Sequence, residues 1–396
     1  MKKKNCLNRT IYLPEYFTGS AARSFHQELD REILYWDFEI EIAETVKLQI
    51  EILLNYTVKT VKNREERRSR YLIPLKCLLS YAENAGLQDI FKMETIQEQE
   101  YKAFLKNQMG KYYTSSAKFI GFCRKTLFLE AKEINWEANV WYVEKLNIAP
   151  GRYSLSNTIE SFSFLDVHFP DNREMLQKYM KYLFAVTNLN LGTIRIQHTY
   201  TREFLKYLEE NGESITNIDA FSVNNFFRKL SMQNIGAQTY NNKLQGVSAF
   251  LQYLQVTDNI MHFAIPAFFY KKKFYPKMNE IRELDRKLDL LMIHLSEFPE
   301  QLRIMCLILI CTGIDKGKMF LLRNADFYYD KGNNWMRVPD TYRSVPIPDM
   351  LHWLVLKYAE KNCITIESLL FLNKGKKYTA RNFADDSAPR RRVQVA

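Results

Sequence analysis

Arg195, Arg202, Lys243, Lys271, Lys272, Lys273 and Lys277 are cations able to grip phosphate oxygens, and Asn241, Asn242 and Gln245 carry amides able to pair with base edges. The last four lysines interleave with Phe269, Tyr270, Phe274 and Tyr275 in "FFYKKKFYPK". A basic, aromatic, proline-containing stretch of this kind suits a chain that crosses a phosphate backbone, and equally suits a solvated linker that binds nothing. Other chemistries lack their residues. His26, His168, His198, His262, His294 and His352 have no Cys or His at ligand spacing, so no metal site is expected. No G-x-x-x-x-G-K-[ST] run occurs, which excludes a P-loop NTPase, and no cofactor or small-molecule substrate is expected. His198, in "IRIQHTYTREF", sits beside Arg195, Tyr200 and Arg202, on a helical face that is solvated or turned to a DNA groove.

The bulk properties agree with a polyanionic partner. Lys and Arg outnumber Asp and Glu by 56 to 45, a formal charge of +11, which favours nucleic acid over a membrane surface. The chain has 396 residues and is 46% apolar, enough for two or three packed domains. Its 13 glycines and 11 prolines argue for a mainly helical chain rather than a sandwich of short strands. Cys6, Cys77, Cys123, Cys306, Cys311 and Cys363 are scattered and form no C-x-x-C pair, as buried thiols of a reducing cytoplasm would be. No segment reaches the roughly 18 apolar residues of a membrane span.

The elements that must position these residues are helices. "AETVKLQIEILLNYTVKTV" carries broad apolar stripes, and "YLIPLKCLLSYAENAG" stops at Gly86, a natural C′ glycine. A second copy of the unit follows. "LLSYAENAG" (78–86) aligns with "FLKYLEENG" (204–212), "YKAFL" (101–105) with "FFRKL" (226–230), and "KFIGFCRKTL" (118–127) with "QGVSAFLQYL" (245–254). Order persists across three helices and spacing does so within a one-residue slip, so the sequence reads as a duplicated bundle of about four helices. Lys111, Lys118, Arg124 and Lys125 are the first copy's analogues of the cations above.

The organisation expected is an irregular N-terminal extension (1–45), a first helical domain (46–146), a linker (147–171), a second helical domain (172–270), a basic linker (271–286), a mixed domain (287–373) and a basic tail without periodicity (374–396). In the mixed domain "SEFPEQLRIMCLILICTG" is a core helix with Ser296 as N-cap. A short helix over 316–323 comes next, then strands near 326–329, 335–338 and 343–347, with Gly332-Asn333 and Pro339-Asp340 as turns. "PDMLHWLVLKYAEKN" returns to helix, and "SLLFLNKGKK" is a short strand entering a basic loop.

Thr312-Gly313, Leu321, Asp326, Arg343, Val345-Pro346-Ile347 and the "LLF" at 369–371 together resemble the first half of a tyrosine recombinase catalytic domain, of the phage integrase and transposase family. Residues 172–270 resemble that family's core-binding domain, with the basic stretch at the place of its interdomain linker. The fold implied is mainly α: two SAM-like helical bundles followed by a partial α+β catalytic domain with a small antiparallel sheet. The resemblance further implies double-stranded DNA and recombinase subunits of the same element as partners, and a role in DNA integration, recombination or transposition. Arg343 joins the DNA-contacting candidates on this ground.

The departures from the family are chemical. Two residues after the Thr-Gly pair the family carries an arginine that grips the scissile phosphate, and Asp315 stands there. A carboxylate donates no hydrogen bond to phosphate and repels it in a dry site. The hairpin lysine of the family is replaced by Pro339-Asp340-Thr341. No His-x-x-Arg follows the hairpin and no histidine follows His352. Tyr358 reads as a packed helix residue and Tyr378 as an exposed loop residue, so no catalytic residue is assigned. A catalytic domain that stops short, from an interrupted gene, is expected to expose apolar surface. The leading reading is therefore a DNA-binding member without strand cleavage of its own. The alternatives are a recombinase subunit completed by a partner chain, or a helical interaction module with no DNA role.

Overall fold

The computed structural model of the protein describes residues 9–19, 25, 31–110, 116, 118–153, 159–257, 270–273 and 281–387. The chain divides into two compact units, Met1–Arg152 with Ile159–Lys273, and Tyr153–Thr158 with Phe274–Ala396.

The first unit opens with a two-stranded antiparallel ribbon, β1 (Thr10–Tyr12) on β2 (Tyr35–Asp37). The N-terminal stretch expected to be irregular is thus partly ordered. Its signal is the alternation of exposed Tyr35 and Asp37 with fully buried Trp36 and Phe38, a period of two. Four helices follow: α1 (Glu44–Thr60), α2 (Ile73–Ala85), α3 (Thr95–Met109) and α4 (Phe119–Glu130). The charged run before α2 folds as one helical turn and a π-turn, Arg68–Leu72, and the Ser116 hydroxyl donates to the carbonyl of Ser69 at 3.2 Å. Four more helices form the second bundle: α5 (Pro170–Ala185), α6 (Leu191–Glu210), α7 (Ala220–Met232) and α8 (Ala237–Thr257).

The matched segments bury matched positions. Leu78, Leu79 and Ala82 of α2 correspond to Phe204, Leu205 and Leu208 of α6, and Tyr101 and Leu105 of α3 to Phe226 and Leu230 of α7. Ile120, Cys123 and Leu127 of α4 correspond to Val247, Phe250 and Leu254 of α8. Both C-terminal glycines, Gly86 and Gly212, adopt positive φ, +59° and +71°, which few side chains tolerate.

The segment between the bundles does more than link them. Residues 140–142 form β3, which pairs antiparallel with β4 (Ser161–Ser163). From these strands Trp141 and Phe162, and from the residue just after β4 Phe164, enter the core of the second bundle. Helix α4 faces both cores, giving Cys123 and Leu127 to the first and Phe128 to the second.

The second unit contains α9 (Ile281–Ile293), α10 (Glu300–Thr312), the single-turn α11 (Lys316–Met319) and a sheet ordered β5 (Phe327–Asp330), β6 (Asn333–Arg337), β7 (Ser344–Pro346). After α12 (Asp349–Lys361) come a hairpin, β8 (Leu372–Asn373) and β9 (Lys376–Lys377), and α13 (Ala380–Ser387). Asp330 pairs with Asn333, leaving Lys331-Gly332 as a two-residue loop with φ of +48° and +83°, the twist a tight hairpin needs. Leu302, Met305 and Ile308 of α10 pack with Met319, Leu322, Met336, Val355, Leu370 and Phe371 in one core.

Three expectations are corrected here. Pro299, not Ser296, is the residue before α10, because proline forces Phe298 into an extended conformation (ψ 151°) and cuts the preceding turn from the helix. The helix after Gly313 ends at Met319 rather than Asn324. The stretch expected to be a structureless tail contains α13, whose Phe383 ring packs at a tilt against Phe320 with ring centroids 6.0 Å apart.

Candidate nucleic-acid interface

Helix α8 begins at Ala237, and its N-terminal half carries Asn241, Asn242, Lys243 and Gln245. It lies close against α6 at Gly246, where an added Cβ would meet the Tyr200 ring at 2.8 Å. The same approach sets Lys243 against Glu203 of α6, the helix that also carries Arg195 and Arg202. The helix period divides these candidates. Asn242, Gln245 and Arg195 are exposed, and Lys243 and Asn241 turn inward.

The inward residues are structural. Lys243 Nζ donates to Glu203 Oε1 at 2.6 Å and ties α8 to α6. Arg202 pairs with Asp166 at 3.3 Å and donates to the Ser163 carbonyl at 3.3 Å. Asn241 holds the chain after α8 in a two-way bond: its Nδ2 donates to the Lys272 carbonyl at 2.8 Å and its Oδ1 accepts from the Lys272 amide at 2.9 Å. The Lys272 ammonium donates to the Ser231 carbonyl at 3.0 Å and lies 4.3 Å over the Tyr240 ring. With both main-chain and side-chain bonds used, Asn241 and Lys272 position the basic stretch, while the neighbouring Lys271 and Lys273 are exposed. Lys277 lies outside the described residues. Arg343 is exposed in the second unit, where its carbonyl accepts from the Val338 amide at 2.9 Å.

His198 does not face solvent. It is buried at 4% exposure, edge-on to Phe162 and Phe164 at 5.4 and 5.3 Å. Burial, and then the charges of Arg202 and Arg195, push its pKa down to about 3, so the imidazole is neutral near neutrality. Among the first-copy analogues, Lys118 and Lys125 are exposed, and Lys111 lies outside the described residues. Arg124 is buried, donating to Glu98 Oε2 and to the Met93 carbonyl, both at 2.8 Å. The sequence reading missed Lys206 and Lys229. They share with Arg202 a cleft of about 350 Å³ that also holds Glu203 and Glu210. The four-residue step from Arg202 to Lys206 on one helix was the available signal.

In the second unit Thr312 and Gly313 end α10. The Thr312 hydroxyl donates to the Ile308 carbonyl at 2.6 Å, and Gly313 adopts φ +63°. Asp315 is exposed and precedes α11, its carbonyl accepting the amides of Lys318 and Met319 at 3.0 and 3.1 Å. Asp326 caps its own turn, accepting the Arg323 amide at 2.8 Å, and burial raises its pKa. Tyr378 is buried against Phe320 rather than exposed on a loop, because the tight β8–β9 hairpin turns it inward. Its hydroxyl donates to Asp386 of α13, and burial together with that carboxylate pushes its pKa well above the ordinary phenol range. Tyr358 is packed on α12, as expected.

The helices carrying the amide row coincide with a known pattern. Residues 176–256 match the family described as phage integrase, N-terminal SAM-like domain. The resemblance to the tyrosine recombinase and integrase family is thereby borne out over the second bundle. The mainly helical fold with small antiparallel sheets is also as expected. No curated protein matches the chain. A solved structure described as the XerH site-specific recombinase bound to difH substrate, in a pre-cleavage complex, shares 18% identity, with 52% of this chain and 64% of that one covered and a TM-score of 0.38. The chain thus spans less than two thirds of that recombinase's length. Within the integrase SAM-like segment lie Arg195, Asn242 and Gln245, whereas Lys271, Lys273, Asp315 and Arg343 fall beyond residue 256. No described helix is long and apolar enough to cross a membrane.

Proposed function

We propose that the protein binds double-stranded DNA as a member of the tyrosine recombinase and integrase family, in integration, recombination or transposition, without cleaving strands through its own residues 287–387. The observation that carries this reading is the exposure of the cation Arg195 and the amides Asn242 and Gln245 within a segment matching an integrase SAM-like domain. Lys271 and Lys273 follow it, held in place by the Asn241–Lys272 bonds. The exposed cations suit phosphates and the amides suit base edges.

Two features argue against cleavage. Asp315 puts negative charge where a phosphate-gripping cation is needed, and the pKa of Tyr378 is moved away from the range of a useful nucleophile. The protein would hold DNA for catalytic subunits of the same element. A salt-titrated gel shift on a nicked suicide duplex tests both parts. Affinity should fall steeply with salt, by about tenfold or more between 50 and 200 mM, with no covalent adduct. Salt-independent affinity removes the DNA reading, and a denaturation-resistant adduct removes the claim of inactivity.

A further inference from the structure

The duplication places α4 of the first bundle where α8 stands in the second, aligning Lys118 with Gln245 and Lys125 with Gln252. Both lysines are exposed; Lys118 is the N-cap that opens α4 and Lys125 lies seven residues on, two turns along the helix, about 10 Å away along the axis. That separation, extended by two flexible side chains, matches a major groove roughly 12 Å wide with phosphates on either rim. An open groove of about 1310 Å³ runs beside them, lined by Tyr56, Lys118, Phe122, Lys125, Lys132 and Trp136. Glu130, Glu133 and Glu144 line it too. Glu144 pairs with Lys125 at 3.2 Å in an exposed setting, a bond worth little in water and readily exchanged for phosphate.

The two bundles are fixed to each other by a buried seam. Arg173 of α5 grips both oxygens of Glu94, which caps α3, and also donates to Asn139 Oδ1 at 3.2 Å and to the Val167 carbonyl at 2.8 Å. Asn139 is 1% exposed and joins both sides through its backbone, donating to the Phe91 carbonyl at 3.2 Å and accepting from the Phe164 amide at 2.8 Å.

We infer that the side of α4 presenting Lys118 and Lys125 is a second contact surface for double-stranded DNA, with both lysines on phosphates, held by the Arg173 seam at a set angle to Asn242 and Gln245. The inference rests on the DNA reading above and adds to it a second point of grip. Salt titration of the full chain on a long duplex compares wild type, Lys118→Ala/Lys125→Ala, and Arg195→Ala/Lys271→Ala as the second-bundle reference. Losing two phosphate contacts should lower the slope of log affinity against log salt by about 2 in the first variant. The reference variant should show a comparable loss. A slope and affinity equal to wild type in the Lys118/Lys125 variant, while the reference variant loses both, overturns the inference and leaves the DNA reading standing. A wild-type chain without salt-dependent binding overturns both.

Discussion

Where α8 of the second bundle buries Leu251 among apolar neighbours, α4 of the first buries Arg124, bonded to Glu98 and to the Met93 carbonyl. Where α8 has Gly246 pressed against Tyr200, α4 has the buried ring of Phe119. The helices keep the same order and the same buried positions, and their contents differ in charge and volume. Position along the helix sets which residues face inward. The occupant then decides how tightly the helices approach and what happens when the position is altered.

The comparison can be broken most forcefully at Arg124. Arg124→Leu installs the residue of the matched position, yet it leaves Glu98 with Lys102 alone and the Met93 carbonyl with one donor fewer. A loss of about 3 kcal/mol in urea unfolding is expected, because half of a buried pair costs more than the pair contributes. A neutral result would show that the first core treats the position as apolar. Next comes Gly246→Ala, whose Cβ would sit 2.8 Å from Tyr200 and 3.3 Å from Gln197 Oε1. Overpacking should cost about 2 kcal/mol, read as a lower midpoint of thermal unfolding. An unchanged midpoint would mean that α6 and α8 have room to separate.

The smallest effect is in pH. His198 has a folded pKa near 3, below its ordinary 6.5, so its contribution is full above pH 6.5 and lost as pH falls toward 3. About 1.4 kcal/mol should be gone by pH 5.5, one unit into that window. In the first bundle burial pulls the pKa of Glu98 up from 4.5, but the bonds from Lys102 and Arg124 outweigh it and the net shift is downward. Its contribution is therefore present above 4.5 and lost only below. Hydrogen exchange at pH 7, 5.5 and 4.5 should loosen α6 before α4, and His198→Gln should abolish that order. Equal loosening of both helices at pH 5.5 would contradict the assignment.

The sequence made the helices legible because their apolar spacing repeats every turn, and the sheet legible because Gly332 marks a turn, although the two-residue loop is Lys331-Gly332 and Asn333 already pairs with Asp330 in β6. It made the wrong side of His198 legible. The rings that bury this residue come from Phe162 and Phe164, over thirty residues upstream in a stretch without helical period. Arg202 and Lys243 failed as free cations for a similar reason, since their partners Asp166 and Glu203 are set by tertiary packing. Tyr378 needed the β8–β9 hairpin, a two-residue ladder too short to leave a periodic signal. Exposed Arg195, Asn242 and Gln245 were readable because the helix rotates them away from the apolar stripe.

Strand β4 has a consequence for anyone who would excise the second bundle. The homology match begins at residue 176, whereas the lid over His198 is woven from residues 162–164. A fragment trimmed to the match would leave that imidazole bare, and hydration would return it to an ordinary titrating group. The natural cutting point lies upstream of Ile159, and even there Phe128 and Trp141 would be left behind.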